Sequence, residues 1–189
     1  MKLSIERDGR LFRVKFCSPE TRNLIDNPEE LLAELRTASA DENVGAILIE
    51  AAAPIFCAGC EPHEELLSIG RTIAKPIIAA VHGAAISGGL ALLANAHIVV
   101  AAQGTSFGLT DIREGRASMP VIRAIARAIG ERRALELSLS GRIFSTPDAL
   151  AWGLVHHVAP AFELDDRATE VATAIANAHP EAIRAMLKT

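Results

Sequence analysis

The sequence contains no tyrosine, and its aromatic residues are six Phe and one Trp, 4% of 189 positions. The missing phenol removes tyrosine from the possible proton donors, and so few rings leave little on which nucleic-acid bases could stack. Basic residues are not in excess either: 19 Lys and Arg stand against 23 Asp and Glu, a formal net charge of −4. A nucleic-acid-binding domain carries the opposite imbalance, so that class is set aside. Three cysteines are too few, and odd in number, for the disulfide framework of a secreted chain. The longest weakly polar stretch, residues 76–102, is broken by His82, several Gly, Asn95 and His97, unlike a membrane span. The first residues, Met1 to Gly9, mix charges into their apolar positions and lack the core of a signal peptide. The expectation is a cytoplasmic protein with neither nucleic-acid nor membrane partners.

Apolar residues make up 50% of the chain and charged ones 22%, which suits one ordinary globular domain over residues 1–189. Leu3–Glu6 and Leu11–Phe16, separated by Arg7-Asp8-Gly9-Arg10, predict a hairpin. Asn27-Pro28-Glu29-Glu30 is a helix start, with Leu31, Leu32 and Leu35 following at helical spacing. Val44–Glu50, Ile77–Val81 and Ile98–Ala101 are short continuous apolar runs, expected as strands buried on both faces. A Gly-rich turn and a breaker-free stretch, Leu90–Ala96, lie between the last two, which makes a βαβ unit and implies parallel strands. Beyond residue 118 the pattern turns helical, over Val121–Ile129, Arg132–Leu139 and Leu164–Ala178, with a short piece starting at Ser145 and a short strand ending near His156-His157. The whole predicts an α/β domain with helices gathered toward its C-terminus.

Two turns carry the chemistry. Ile55-Phe56-Cys57-Ala58-Gly59-Cys60-Glu61 and Gly83-Ala84-Ala85-Ile86-Ser87-Gly88-Gly89-Leu90 each follow an expected strand and are each expected to open a helix. Backbone N–H groups at helix starts lack intrahelical partners, and glycine lets a ligand oxygen approach them. Two such turns on neighbouring strands can aim two N–H groups at one point, which is how an oxyanion hole is built. Glycine at such turns also serves simply to relieve crowding, so neither turn alone decides the matter.

In order and spacing, Phe56-x-Ala58-Gly59-x-Glu61, then Pro76 to Gly83 with Ser87-Gly88-Gly89 and Leu92, resembles the crotonase (enoyl-CoA hydratase/isomerase) superfamily. The likeness runs on through Phe107-Gly108-Leu109-Thr110-Asp111, Ile129-Gly130, Ser140-Gly141-Arg142 and Ala149 to Val155, and Pro19 to Asn23 matches the family's early loop. The resemblance implies the α/β crotonase-like (ClpP/crotonase) fold, with a ββα-type superhelical core of mostly parallel strands. That core would span about residues 1–142, followed by a helical C-terminal part at about 143–189. It also implies an acyl-CoA substrate, whose thioester enolate is held by the backbone N–H groups of Cys60 and Gly88. Coenzyme A is then part of the substrate, and no separate cofactor or metal is expected. Arg22, Ala58, Gly59 and Gly89 would lie against the substrate, Arg22 as a phosphate contact or as a solvated surface residue. A homotrimer or a dimer of trimers is the family's assembly.

The pattern breaks at the acids. Family hydratases carry one carboxylate three residues after the second hole glycine, where this chain has Ala91, and another where it has Asp111. The Gly-rich turn that helps hold water is replaced by Arg116-Ala117-Ser118-Met119-Pro120. Superfamily members with a single carboxylate typically shift double bonds, so Asp111 is the expected base of an isomerase; its other reading is a loop-capping residue. Glu114, one helical turn on, could supply a second carboxylate. Glu61, Glu64 and Glu65 suit a helix N-terminus, and His63 is a partly exposed helix residue or a proton carrier. Hydration, decarboxylation, thioester hydrolysis and a silent acyl-CoA-binding subunit are the alternatives on the same fold. Cys57-x-x-Cys60 could also be a redox pair, though the rest of the chain does not suit a thioredoxin. The six His show no ligand spacing with that pair that would make a zinc site. Full superfamily members are longer, between Glu65 and Lys75 and after Thr189, so the expected site is unusually open or completed by another chain.

Overall fold

The computed structural model describes residues 1–187. Nine strands occur among them: β1 (Leu3–Asp8), β2 (Leu11–Phe16), β3 (Ala46–Ala51), β4 (Ile77–Val81), β5 (Ala84–Ile86), β6 (Ile98–Ala102), β7 (Ser106–Gly108), β8 (Ile143–Ser145) and β9 (His157–Ala159). The main sheet has the order β1-β2-β3-β4-β6-β9. Only the β1–β2 hairpin is antiparallel; β2, β3, β4, β6 and β9 run parallel. The hairpin is tight, pairing Asp8 with Leu11 across Gly9-Arg10, with Gly9 at φ 56°. A second, smaller sheet of β5, β7 and β8 stands apart from the first, and the sequence pattern alone gave no hint of it.

The helices are α1 (Pro28–Ala40), α2 (Gly88–Leu93), α3 (Met119–Ile129), α4 (Glu131–Ser140), α5 (Thr146–Ala151), α6 (Leu164–Ala176) and α7 (Pro180–Met186). The apolar runs expected as doubly buried strands are so for a visible reason. Alternate residues of β3 and β4 face opposite cores, because strand side chains alternate between faces. Ala46, Leu48, Ile78 and Ala80 pack with Leu164, Ala168, Ala172 and Ala176 of α6, while Ile47, Ile49, Ile77 and Ala79 join the larger core. Alanine at every fourth position lets α6 lie close. A Cβ on Gly45 would meet the Ala176 carbonyl oxygen at 2.0 Å, so only glycine fits at that entrance to β3. Helix α5 is fixed by a capping box, in which Ser145 and Asp148 satisfy each other's orphan N–H groups.

The βαβ unit β4–α2–β6 forms as the pattern predicts, with β4 and β6 paired in parallel. Helix α6 ends at Ala176, two residues before the expected limit. The larger difference lies after β3. No helix starts at Glu61; the first helical turn there is a 3-10 segment, Leu66–Arg71.

Candidate active site

Residues 56–61 stay extended because their backbone groups are used on both sides. Toward β5, the Phe56 N–H donates to the His82 carbonyl, the Cys57 N–H to Ala84 and the Ile86 N–H to Cys57. Toward the early loop, the Ala58 N–H donates to Arg22, the Ile25 N–H to Gly59 and the Glu61 N–H to Ile25. A segment bonded laterally in this way cannot also coil into a helix. Within it the Cys60 N–H is left without an acceptor among the described residues.

The second turn meets the first at this point. After β5 the chain reverses through Ser87, at φ 47° and ψ −111°, whose N–H donates to the Gly108 carbonyl at 2.8 Å. Helix α2 begins at once: the Ala91 N–H returns to the Ser87 carbonyl at 3.0 Å. The Gly88 N–H belongs to the unpartnered first turn and finds no acceptor among the described residues. The two glycines are forced by close packing. A Cβ on Gly88 would lie 2.5 Å from the Cys60 nitrogen, and one on Gly89 would lie 2.7 Å from the Cys57 carbonyl oxygen.

Both unpaired N–H groups belong to residues lining one groove of about 540 Å³, together with Ala58, Gly59 and Asp111. Its rim is formed by exposed residues, among them Glu61, Pro62 and Arg116, so it opens to solvent. Asp111 and Glu114 bound a 3-10 segment, where positions three apart eclipse, and both line the groove. Their surroundings differ. The Asp111 side chain is 24% exposed and that of Glu114 is 65% exposed. The Glu114 carboxylate is engaged by Arg116, whose guanidinium lies 4.0 Å from Asp111. The Asp111 carboxylate makes no hydrogen bond among the described residues and lies at ion-pair distance from Arg116.

Comparison with known proteins follows the same residues. A sequence profile for enoyl-CoA hydratase/isomerase matches residues 60–189. The chain is 39% identical over 119 residues to the mevalonyl-coenzyme A hydratase sidH of Aspergillus fumigatus, covering 62% of this chain and 44% of that protein. It is 31% identical over 208 residues to the (E)-benzylidenesuccinyl-CoA hydratase of Thauera aromatica, covering 98% of this chain and 80% of that protein. The crystal structure of an enoyl-CoA hydratase from Mycobacterium tuberculosis superposes with a TM-score of 0.86 at 29% identity, over 98% of this chain and 87% of that one.

The chain belongs to the enoyl-CoA hydratase/isomerase family. Its fold is accordingly the crotonase fold expected from the motifs, here with a mostly parallel sheet and its helices toward the C-terminus. Against that family pattern the remaining candidate residues fall into place or out of it. Ala91 is fully buried within the main core and does not line the groove, so no carboxylate reaches the groove from this position. Gly89 lies behind the groove against Cys57 rather than on its wall. Arg22 enters through its carbonyl, which holds Ala58, and its exposed side chain does not line the groove. His63 also lies off the groove; its Nε2 is 2.8 Å from Glu29. Of the three early acids only Glu61 lines the groove, while Glu65 pairs with Arg36.

The cysteine pair is not built for redox work. Burial pushes both thiols up to about 12, whereas a reactive thiol needs a lowered value. Each Sγ instead donates locally, Cys57 to the Gly59 carbonyl and Cys60 to the Glu61 carbonyl. Among the described residues no cluster of His, Cys, Asp and Glu is placed to hold a metal. No described helix is long and apolar enough to cross a membrane.

Asn23 is a residue whose importance the motif reading did not extract. It is fully buried, accepts from the Ser18 N–H, and donates to the carbonyls of both Ala52 and Ile55. It thereby ties the early loop to the approach of the first turn. The signal available in sequence was an Asn in a polar loop, a residue type that tolerates the left-handed conformation it adopts, at φ 53°.

Proposed function

We propose that the protein acts on acyl-CoA thioesters by moving a proton through a thioester enolate, with double-bond isomerisation as the reaction. The observation that carries this is the meeting of Cys60 and Gly88. Their two unpaired N–H groups belong to residues lining one groove whose wall also carries Asp111, the least exposed of its three carboxylates. With a 3-enoyl thioester, Asp111 removes a proton from C2, and the electron pair delocalises onto the thioester oxygen between the two N–H donors. Protonated Asp111 then returns the proton to C4, and the double bond moves from C3–C4 to C2–C3. Each donor of such a hole contributes about 3 kcal/mol of transition-state stabilisation. Ala91 supports isomerisation over hydration, because it supplies no carboxylate beside the first turn of α2.

Hydration is the second reading, favoured by Glu114 lining the groove three residues from Asp111 and by the names of the relatives. Incubation with 3-enoyl- and 2-enoyl-CoA panels, followed by mass for added water and by chromatographic separation of the positional isomers, separates the two. Isomerisation leaves the mass unchanged and disappears in Asp111→Asn; addition of water lost equally in Glu114→Gln would overturn the preference. CoA binding without turnover would leave a silent subunit, release of free CoA would indicate thioester hydrolysis, and release of CO₂ from a 2-carboxyacyl-CoA would indicate decarboxylation.

A further inference from the structure

Strand β1 is the outer edge of the main sheet, and no strand lies on its far side among the described residues. The direction of its free groups is fixed. The Cys17 N–H donates to the Lys2 carbonyl at 2.9 Å, and β1 pairs Ser4 with Lys15, Glu6 with Arg13 and Asp8 with Leu11. Backbone groups alternate sides along a strand, so Lys2, Ser4, Glu6 and Asp8 turn theirs toward β2, whereas Leu3, Ile5 and Arg7 turn theirs outward. Residues Ser4 to Asp8 are all exposed, and Ile5 shows 40% of its surface. Soluble proteins blunt such an edge with a proline, a bulge, a cover or charge. β1 has no proline, and its pairing with β2 runs through all six residues without a bulge. Its charges are present, but they complement their own reversed order.

We propose that β1 pairs with the β1 of a second copy of this chain, antiparallel about a two-fold axis through Ile5, so that the main sheet continues from one protomer into the other. Register selects this occupant. An antiparallel neighbour sets outward-facing residues against outward-facing residues. With Ile5 opposite Ile5, Leu3 meets the partner's Arg7, Ser4 the partner's Glu6 and Lys2 the partner's Asp8, and the symmetry makes each of these pairs twice. Lys2 and Asp8 carry opposite charges, the Ser4 hydroxyl can donate to the Glu6 carboxylate, and Leu3 lies along the aliphatic stem of Arg7. Neighbouring registers are poorer. Ile5 opposite Arg7 sets Glu6 against Glu6, and Ile5 opposite Leu3 drops Arg7 and Asp8 from the ladder. The helices leave room for the contact. Helix α6 packs chiefly on β3 and β4. Across the joined sheet the two β3 strands stand five strand spacings, about 24 Å, apart, against a helix width of about 10–12 Å.

Sedimentation of the intact protein over a range of concentrations at low and high salt tests this. Ile5→Lys, which sets two ammonium groups together at the two-fold axis, should sediment with half the native mass. Lys2→Glu and Asp8→Lys each place like charges opposite one another at both ends of the ladder. Each should raise the dissociation constant by about tenfold at low salt, and the double variant, which exchanges the two signs, should recover the native value. Ile5→Cys should link two chains under mild oxidation, since directly paired Cα atoms lie about 5.5 Å apart, within disulfide reach. Arg7→Cys, roughly 14 Å from its counterpart, should not. A mass that Ile5→Lys leaves unchanged, single charge variants that associate as tightly as the double one, or Arg7→Cys linking as readily as Ile5→Cys overturns the pairing and leaves the edge to a different strand or to water.

Discussion

A Cβ placed on Gly88 would stand 2.5 Å from both the backbone nitrogen and the Cβ of Cys60. No side chain larger than hydrogen fits where the two turns meet, and backbone atoms on the Cys60 side cannot rotate away as a flexible side chain would. Gly88→Ala is therefore expected to force the turns apart. Turnover should fall by about 10²–10³-fold, the effect of losing one hole donor, with a lowered melting temperature. Gly104→Ala is the contrast: its φ is 79° but a Cβ there meets nothing within 4 Å. It should lose about 1 kcal/mol of stability and keep activity. Native turnover in Gly88→Ala would show that the close approach does not matter.

Asn23→Ala removes three hydrogen bonds at a buried position and leaves the Ser18 N–H and the Ala52 and Ile55 carbonyls without partners. Each buried orphan costs about 1–3 kcal/mol, so urea unfolding should show a loss of about 3 kcal/mol or more. Asn23→Asp keeps the acceptor but cannot donate to either carbonyl, and should be no better. A change below about 1 kcal/mol in both would remove Asn23 from the support of the site.

Acid should weaken the fold through two histidines. The Ile77 N–H donates to His97 Nδ1 at 2.9 Å, and the Val99 N–H donates to His156 Nδ1 at 3.0 Å, bonds that need a neutral acceptor nitrogen. Burial lowers both rings, and His82 with them, below their ordinary value of 6.5. The unfolded chain then takes up protons near that value before the folded one does. This stabilisation is whole at higher pH and is lost as pH falls from about 6.5 through the folded values. Glu50, raised by its burial despite Arg13 beside it, works in the opposite direction just above its ordinary value of 4.5. Melting temperatures should drop between pH 7.5 and 5.5, and His97→Gln or His156→Gln should flatten that slope. An unchanged slope in both variants would refute the assignment.

The parts of the fold legible in sequence were those fixed by local pattern. VGAILIE could hardly be anything but a buried strand, and the glycine turn between β4 and β6 announced a crossover. The extended course of residues 56–61 was not legible, because it depends on partners at residues 22–25 and 82–86 rather than on its own composition. The short strands β5, β7 and β8 escaped for the same reason: three residues each are too few for a period to show. At the site, the resemblance to the crotonase superfamily pointed to Cys60, Gly88 and Asp111, and all three line one groove. Whether Arg22 faced that groove depended on side-chain direction, and whether Gly89 did depended on how its backbone packs against Cys57; motif order carries neither.

Helix α2 is six residues long and every one of them is buried. Gly89 rests on Cys57 at one end, and at the other Asn95 bonds both the Leu67 and Ala91 carbonyls. Such a rod has nowhere to tilt, whereas Glu61 and Pro62, just past Cys60, are exposed. Both sides of the meeting point are therefore held, Gly88 by the buried helix and Cys60 by the bonds of Gly59 and Glu61 to Ile25, and the chain is open only beyond Glu61. The gap between the two N–H groups is thus set by the backbone of both turns, and sequence changes beyond Glu61 leave it in place.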